Sequence, residues 1–356
     1  MTSGRNIGSL LLVASVAALG LTLGGPATAA DKYVTFAGWG GVTQEAERKA
    51  YFESAEKELG LTVREDRHGG YGGLKAHVQA GNVSWDIVGT GFAICERAVK
   101  NGLAEELDYS KIDTSNLPPE FVRPHYVGLW TFSYGIAYRA DKYGDNPPQG
   151  WADFWDVKKF PGRRSLWASG RYVLEAALMA DGVAPGEVYN GLMGDGGVDR
   201  AFKKLEEIKP DVAVWWTSQG QAMQLIRDGE VDMILLANGR AGALADDGAA
   251  VGFQFNQALL DVEGFMIPKG APHPELAYEV INHSLKAMPQ AMFTKHIQYG
   301  PTNPKAYDTG EISPEQAAKL PTSPENMPKQ GIVSAEWYAS QAGEDSLARF
   351  ATFLQQ

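Results

Sequence analysis

Aromatic, hydroxyl and amide side chains recur where apolar runs of the chain end: Trp39, Phe92, Trp167 with Ser169, Trp216 with Thr217 and Ser218, and Asn238 with Arg240. Such a set suits the capture of a small molecule. A ligand pocket is an aromatic or apolar box with a few polar groups that fix orientation. A tryptophan face holds a desolvated cationic amine with up to about 2 kcal/mol. Any single tryptophan is more often core than pocket wall, so the argument rests on their shared position at run ends.

Signals for catalysis are missing. The six histidines show no HxxxH or HExxH spacing, and the single cysteine, Cys95, cannot build a thiolate metal site. No GxSxG elbow or Walker A sequence occurs. Gly69–Gly73 lacks the GxGxxG spacing and reads as a turn. Adjacent carboxylates such as Asp246 and Asp247 do not place two carboxyl groups across a substrate. A secreted hydrolase or transferase would need such a pair in a cleft. An anion binder would use Ser169, Arg171 and Arg240, and a ferric-ion binder would need clustered tyrosines with carboxylates, which the sequence does not display. No metal and no cofactor is expected.

The net charge of −11 comes without a basic cluster, which argues against nucleic acid as a partner. Arg5, the apolar run Ile7–Leu23 and the small residues Ala27-Thr28-Ala29-Ala30 read as a cleavable signal peptide over 1–30. No cysteine stands near that site to carry a lipid, and no second membrane segment follows. A free periplasmic protein starting near Asp31 is expected. With one cysteine no intrachain disulfide is possible, so a core must hold the fold, and the length suffices for two domains.

The elements that must position the aromatics alternate between strand and helix. Tyr33–Ala37 reads as a strand leading into Gly38-Trp39-Gly40-Gly41, followed by a helix from Thr43, as N-cap, to Leu59. Leu61–Arg64 and Trp85–Gly91 read as strands, with helices over 74–80 and 93–101. The same alternation resumes after a strand at Tyr134–Tyr138: strands at 165–167, 212–216 and 231–237, helices at 173–180, 221–228 and 240–245, then a strand at Gly264–Pro268 and a helix over 276–285. This predicts an α/β fold with mostly parallel sheets, whose ligands lie at the carboxyl ends of the strands. The chain forms one lobe, crosses to a second and crosses back, and two crossings make a hinge. A Pro-rich tail from Pro301 to Pro328 precedes a last helix over 344–353.

At the level of these segments the chain resembles the periplasmic substrate-binding proteins of ATP-binding-cassette importers for spermidine and putrescine, within the type II periplasmic binding proteins. The likeness runs through Trp39-Gly40-Gly41, Trp85-Asp86-Ile87-Val88, Gly150-Trp151-Ala152-Asp153-Phe154-Trp155, Gly229-Glu230-Val231-Asp232, Asn238-Gly239-Arg240 and Tyr299-Gly300-Pro301-Thr302-Asn303. It implies a two-lobed α/β molecule that closes on a ligand and docks on a membrane permease. The expected division is 31–135 and 264–310 in lobe 1, 136–263 in lobe 2, and 311–356 as a tail on the lobes. The resemblance makes Trp39 the aromatic of the first lobe and puts an amine-binding carboxylate at Glu263, with Asp261 beside it. Where the family carries an acidic pair this chain has Ser169 and Tyr172, and Ala237 replaces an aromatic. Arg171 and Arg240 could instead meet a ligand carboxylate by bidentate hydrogen bonds. The expected ligand is therefore a polyamine or a zwitterion such as 4-aminobutyrate. Gly40, Thr90 and Phe92 complete the expected ligand-binding set with Trp39, Ser169, Arg171, Tyr172, Trp216, Asn238, Arg240, Asp261 and Glu263. The protein is expected to act as a monomer and without catalysis.

Overall fold

The computed structural model describes residues 32–356, so the expected leader at 1–30 lies outside the described residues. Among the described residues, eleven strands form one continuous sheet: β1 (Tyr33–Gly38), β2 (Thr62–Arg67), β3 (Ile87–Gly91), β4 (Val122–Arg123), β5 (Tyr126–Arg139), β6 (Arg164–Trp167), β7 (Val212–Trp216), β8 (Met233–Ala237), β9 (Val251–Met266), β10 (Gly300–Pro301) and β11 (Gly331–Ile332). The main path is β2-β1-β3-β9-β5-β8-β6-β7.

The two outer parts of that path are parallel and the middle is antiparallel. β1 pairs with β2 and β3, and β6 with β7 and β8, all parallel, as the strand and helix alternation demands. β5 and β9 run antiparallel to each other from Val127 opposite Phe265 to Arg139 opposite Val251. Strand readings at 134–138 and 264–268 caught only parts of these two, which span 14 and 16 residues. The parallel pairing expected within each half is present in the outer strands, and the centre adds an antiparallel pair of long strands. Strands that return between the two halves must oppose their neighbours. Register breaks between Gly128 and Trp130 and between Tyr134 and Ile136 bend β5 near its middle.

Separate cores hold the two halves. One gathers Phe36, Phe52, Ile87, Trp130, Phe265 and Ile281 around β1, and the other gathers Trp151, Leu166, Leu178, Leu205, Leu235 and Phe350 around β6 and β8. The last helix, Gln341–Phe353, belongs to the second, with Phe350 and Phe353 against Phe202 and Trp215. Among the described residues no helix is long and apolar enough to cross a membrane.

Two local readings are corrected. The helix after Trp39 starts at Gly41, not at Thr43, and runs to Leu59 through a π-helical turn at Arg48–Phe52. Gly70–Gly73 are not a free turn but the first turn of the helix Gly70–Gln79. Gly69, at φ 63°, supplies the left-handed residue before it, and a Cβ on Gly73 would sit 1.9 Å from the His68 carbonyl oxygen. The glycines are there because the helix starts against its own approach loop.

Candidate functional site

Trp39 follows the carboxyl end of β1, where the chain turns into a helix through Gly40 at φ 80°. A Cβ on Gly40 would meet the Arg67 guanidine at 2.4 Å, and its N–H donates to Gln44 Oε1 at 2.7 Å. Gly40 thus makes the turn that presents Trp39. The indole is 49% exposed, an unusual position for so large an apolar group. Its edge is braced by the buried His68 ring, 4.4 Å away between centroids. His68 hydrogen-bonds the Gly89 carbonyl through Nε2 and accepts the Gly70 N–H at Nδ1, and burial pushes its pKa down. A neutral, fixed ring therefore holds the tryptophan.

The Trp39 indole N–H donates to Glu263 Oε1 at 2.5 Å. Glu263 lies on β9 opposite Gly91 of β3 and Trp130 of β5, and it is buried. Burial pushes its carboxyl well above the usual carboxylate range; the Trp39 hydrogen bond opposes that, and the charges of Glu47 and Asp261 reinforce it. Among the described residues it has no cationic partner within ion-pair distance. A buried carboxylate with one donor and no counter-ion is a standing electrostatic demand.

Asp261, two residues earlier and on the same face of β9, is satisfied. Arg171 Nη2 and the Tyr172 hydroxyl each donate to its Oδ2 at 2.6 Å. Arg171 also lies over the rings of Tyr172 and Tyr338, its Cζ 5.1 and 4.8 Å from their centroids. Tyr172 adopts φ 63°, a left-handed conformation that a tyrosine takes only when its surroundings hold it. The holding contacts are its N–H to the Tyr338 hydroxyl at 3.1 Å, its hydroxyl to Asp261, and its ring stacked on Tyr134 at 4.1 Å. Tyr134, Trp167 and Trp216 extend this stack, with Trp167 on Trp216 at 5.2 Å and an interplanar angle of 3°.

The remaining expected residues divide by environment. Thr90 and Phe92 are buried, Phe92 against Tyr126 and close to Gly264. Trp216 is buried behind Trp167. Asn238 joins the halves: its Oδ1 accepts from the Ser133 N–H at 2.9 Å and its Nδ2 donates to the Gln298 carbonyl at 2.6 Å. Each end of its amide thus has a backbone partner. Ser169 accepts the Arg171 N–H at 3.3 Å, and so shapes the loop that carries the guanidinium. Arg240 forms no ion pair among the described residues and borders a cavity of about 440 Å³ lined also by Val42, Gln298 and Tyr299. Burial raises the pKa of the Tyr299 hydroxyl, with Arg240 opposing and Glu263 adding to that shift.

Sequence reasoning missed Trp130, Phe132, Tyr134 and Tyr299. Trp130 stacks on Tyr299 at 4.9 Å, and Phe132 lies 6.0 Å from Tyr134. The signal was available: Trp130, Phe132 and Tyr134 alternate along one face of a strand that the apolar pattern would have extended back to Tyr126.

Fold and site together define a solute-binding protein whose aromatic and charged side chains converge where two sheet halves meet. The bacterial extracellular solute-binding protein family matches residues 50–322, and the chain belongs to that family. It is 33% identical over 333 residues to the gamma-aminobutyric acid-binding protein of Pseudomonas aeruginosa, covering 93% of each chain. An ABC transporter substrate-binding protein from Bradyrhizobium japonicum superposes with a TM-score of 0.85 at 44% identity, over 91% of this chain and all of that one. The PBP MotA from A. tumefaciens B6, in complex with glucopine, superposes at 0.78 with 38% identity, over 89% of this chain and 99% of that one. The protein is thus an ABC transporter substrate-binding protein of the two-lobed periplasmic binding fold.

Proposed function

We propose that the protein captures a small zwitterionic amine of the 4-aminobutyrate type between its lobes and delivers it to a permease in the inner membrane. The observation that carries this reading is Glu263, buried at the N–H edge of the exposed Trp39 indole with one hydrogen-bond donor and, among the described residues, no cation within ion-pair distance. A ligand ammonium over the indole supplies the missing charge. The ligand carboxylate goes to Arg240, whose guanidinium has no ion pair among the described residues and which lines a cavity together with Tyr299. Asp261 is already matched by Arg171, so the site offers an ammonium one free carboxylate, which favours a zwitterion over a polyamine. The relative that binds gamma-aminobutyric acid supports the same choice. Closure of the lobes around the ligand is what the permease senses.

The mature protein works as a free monomer without catalysis, released into the periplasm by cleavage of a leader at 1–30, and its first residue lies near Asp31. Thermal-shift measurement tests the ligand. A ligand at 100 times its dissociation constant adds about 2.7 kcal/mol to stability. 4-Aminobutyrate is expected to raise the melting temperature by several degrees, with putrescine, spermidine and butyrate giving less. A larger shift with putrescine would replace the zwitterion by a polyamine.

A further inference from the structure

A second buried carboxylate lies behind the first. Glu47, in the helix that follows Trp39, is 4% exposed and accepts the Trp130 indole N–H at 2.9 Å. Trp130 is the residue opposite Glu263 on the neighbouring strand, so both project on one face of the sheet. The floor of the site is thus a chain of alternating groups: the Trp39 indole on Glu263, and the Trp130 indole beside Glu263 and on Glu47. No cation reaches either carboxylate among the described residues. Arg48, next to Glu47 in the chain, is committed to Glu56 and Glu65. His283, near the end of a helix packed against the same turn, and Lys286, in the link that follows it, are committed to Glu58. The other groups facing the pair are neutral or already matched: the Tyr51 hydroxyl, the Cys95 thiol, the Tyr299 hydroxyl, and Asp261 with Arg171. Glu65 adds a further negative charge near Glu47.

We propose that Glu47 is a positioning residue of the ligand site. It and Glu263 hold one negative charge at most between them in the free protein, and the arriving ammonium releases a proton from Glu263 to solvent. Two like charges in a dry site with no counter-ion are costly, so the pair keeps a proton. A bound ammonium beside Glu263 favours its ionised form, one proton leaves, and the charges balance. In the same direction, burial pushes Glu47 up to about 8, and Glu47 raises Glu263 further. Glu47 does not touch the ligand. It sets the pH at which Glu263 is ready to receive one.

The test uses the indole N–H signals of Trp39 and Trp130, which report the protonation of the carboxylate each one binds. In proton–nitrogen NMR of the ligand-free protein, both signals are expected to move with pH between 5 and 9. Glu47→Gln, which keeps an acceptor for Trp130, is expected to lower the Trp39 midpoint by about one pH unit. A Trp39 signal that ignores pH in this range, or a midpoint unmoved by Glu47→Gln, overturns the proposal. The wild-type titration alone decides the first point if the variant does not fold. The second step rests on the ligand reading above. Calorimetric titration of 4-aminobutyrate near pH 7 in phosphate and in Tris is expected to show proton release, smaller in Glu47→Gln, which binds several-fold more tightly. Binding without proton release overturns the proposal. If 4-aminobutyrate gives no heat at all, the ligand assignment fails, and the indole titration still decides whether Glu47 governs Glu263.

Discussion

Arg171 Nη2 lies 2.6 Å from Asp261 Oδ2, and that ion pair separates the roles of two carboxylates on one strand. Asp261 has a guanidinium and a phenol, whereas Glu263, two residues on, has one indole. Removing the guanidinium therefore leaves Asp261 buried and unpaired. Breaking a buried pair typically costs about 3–5 kcal/mol. Arg171 is 25% exposed on its side chain, which reduces the effect. We expect Arg171→Ala to destabilise the protein by about 2 kcal/mol in urea unfolding. A loss under about 0.5 kcal/mol would place the pair among ordinary surface contacts.

Neighbouring glycines in the helix behind Trp39 should respond in opposite directions. A Cβ on Gly73 would collide with the His68 carbonyl, and moving His68 disturbs the brace on Trp39. A Cβ on Gly72 meets nothing within 4 Å, and alanine is the better helix former by about 1 kcal/mol. Gly73→Ala is expected to lower both the melting temperature and ligand affinity, and Gly72→Ala to raise the melting temperature with affinity unchanged. Equal behaviour of the two variants contradicts the packing described at His68.

Stability should fall as pH rises from about 6.5 to 8. Glu47 titrates at about 8 in the folded chain against 4.5 unfolded, so in this window the folded state holds a proton that the unfolded state has lost. Raising the pH removes that proton at the expense of the native state. Below 6.5 the opposite contribution enters, because burial depresses His68 and His283 and unfolding lets them take up protons. Calorimetric melting across pH 5–9 should show the decline above 6.5, and Glu47→Gln should make it shallower, since Glu263 is raised as well. A wild-type curve that rises through this window contradicts the buried, proton-holding Glu47.

Much of this architecture is legible in the residues, for identifiable reasons. Helix Val173–Ala180 and the strands ending at Trp167, Trp216 and Ala237 follow from apolar runs bounded by polar or glycine residues, and tertiary packing did not override them. The central antiparallel strands were half seen. Glycines at 128 and 135 interrupt the apolar pattern of β5 because the neighbouring strand approaches there: a Cβ on Gly128 would meet Val262 at 2.9 Å, and one on Gly135 the Gln254 carbonyl at 2.8 Å. Trp39, Asp261, Glu263 and Arg171 could be nominated as individuals. Which carboxylate is matched and which is bare depends on contacts between residues 90 and 224 positions apart, and no local spacing encodes those. Asn238 shows the converse, since its type suggested a ligand contact and long-range backbone bonds claim both ends of its amide.

If Glu263 receives the ammonium of a small zwitterion beside Trp39, calorimetric titration of 4-aminobutyrate into wild type and Glu263→Gln must distinguish the two proteins. Glutamine keeps the shape and an acceptor for the indole N–H but removes the charge, and charge-assisted hydrogen bonds contribute about 1.5–3 kcal/mol. Wild type is expected to bind saturably, one to one, and the variant at least about tenfold more weakly, which corresponds to about 1.4 kcal/mol. Binding of equal strength in both proteins would contradict it.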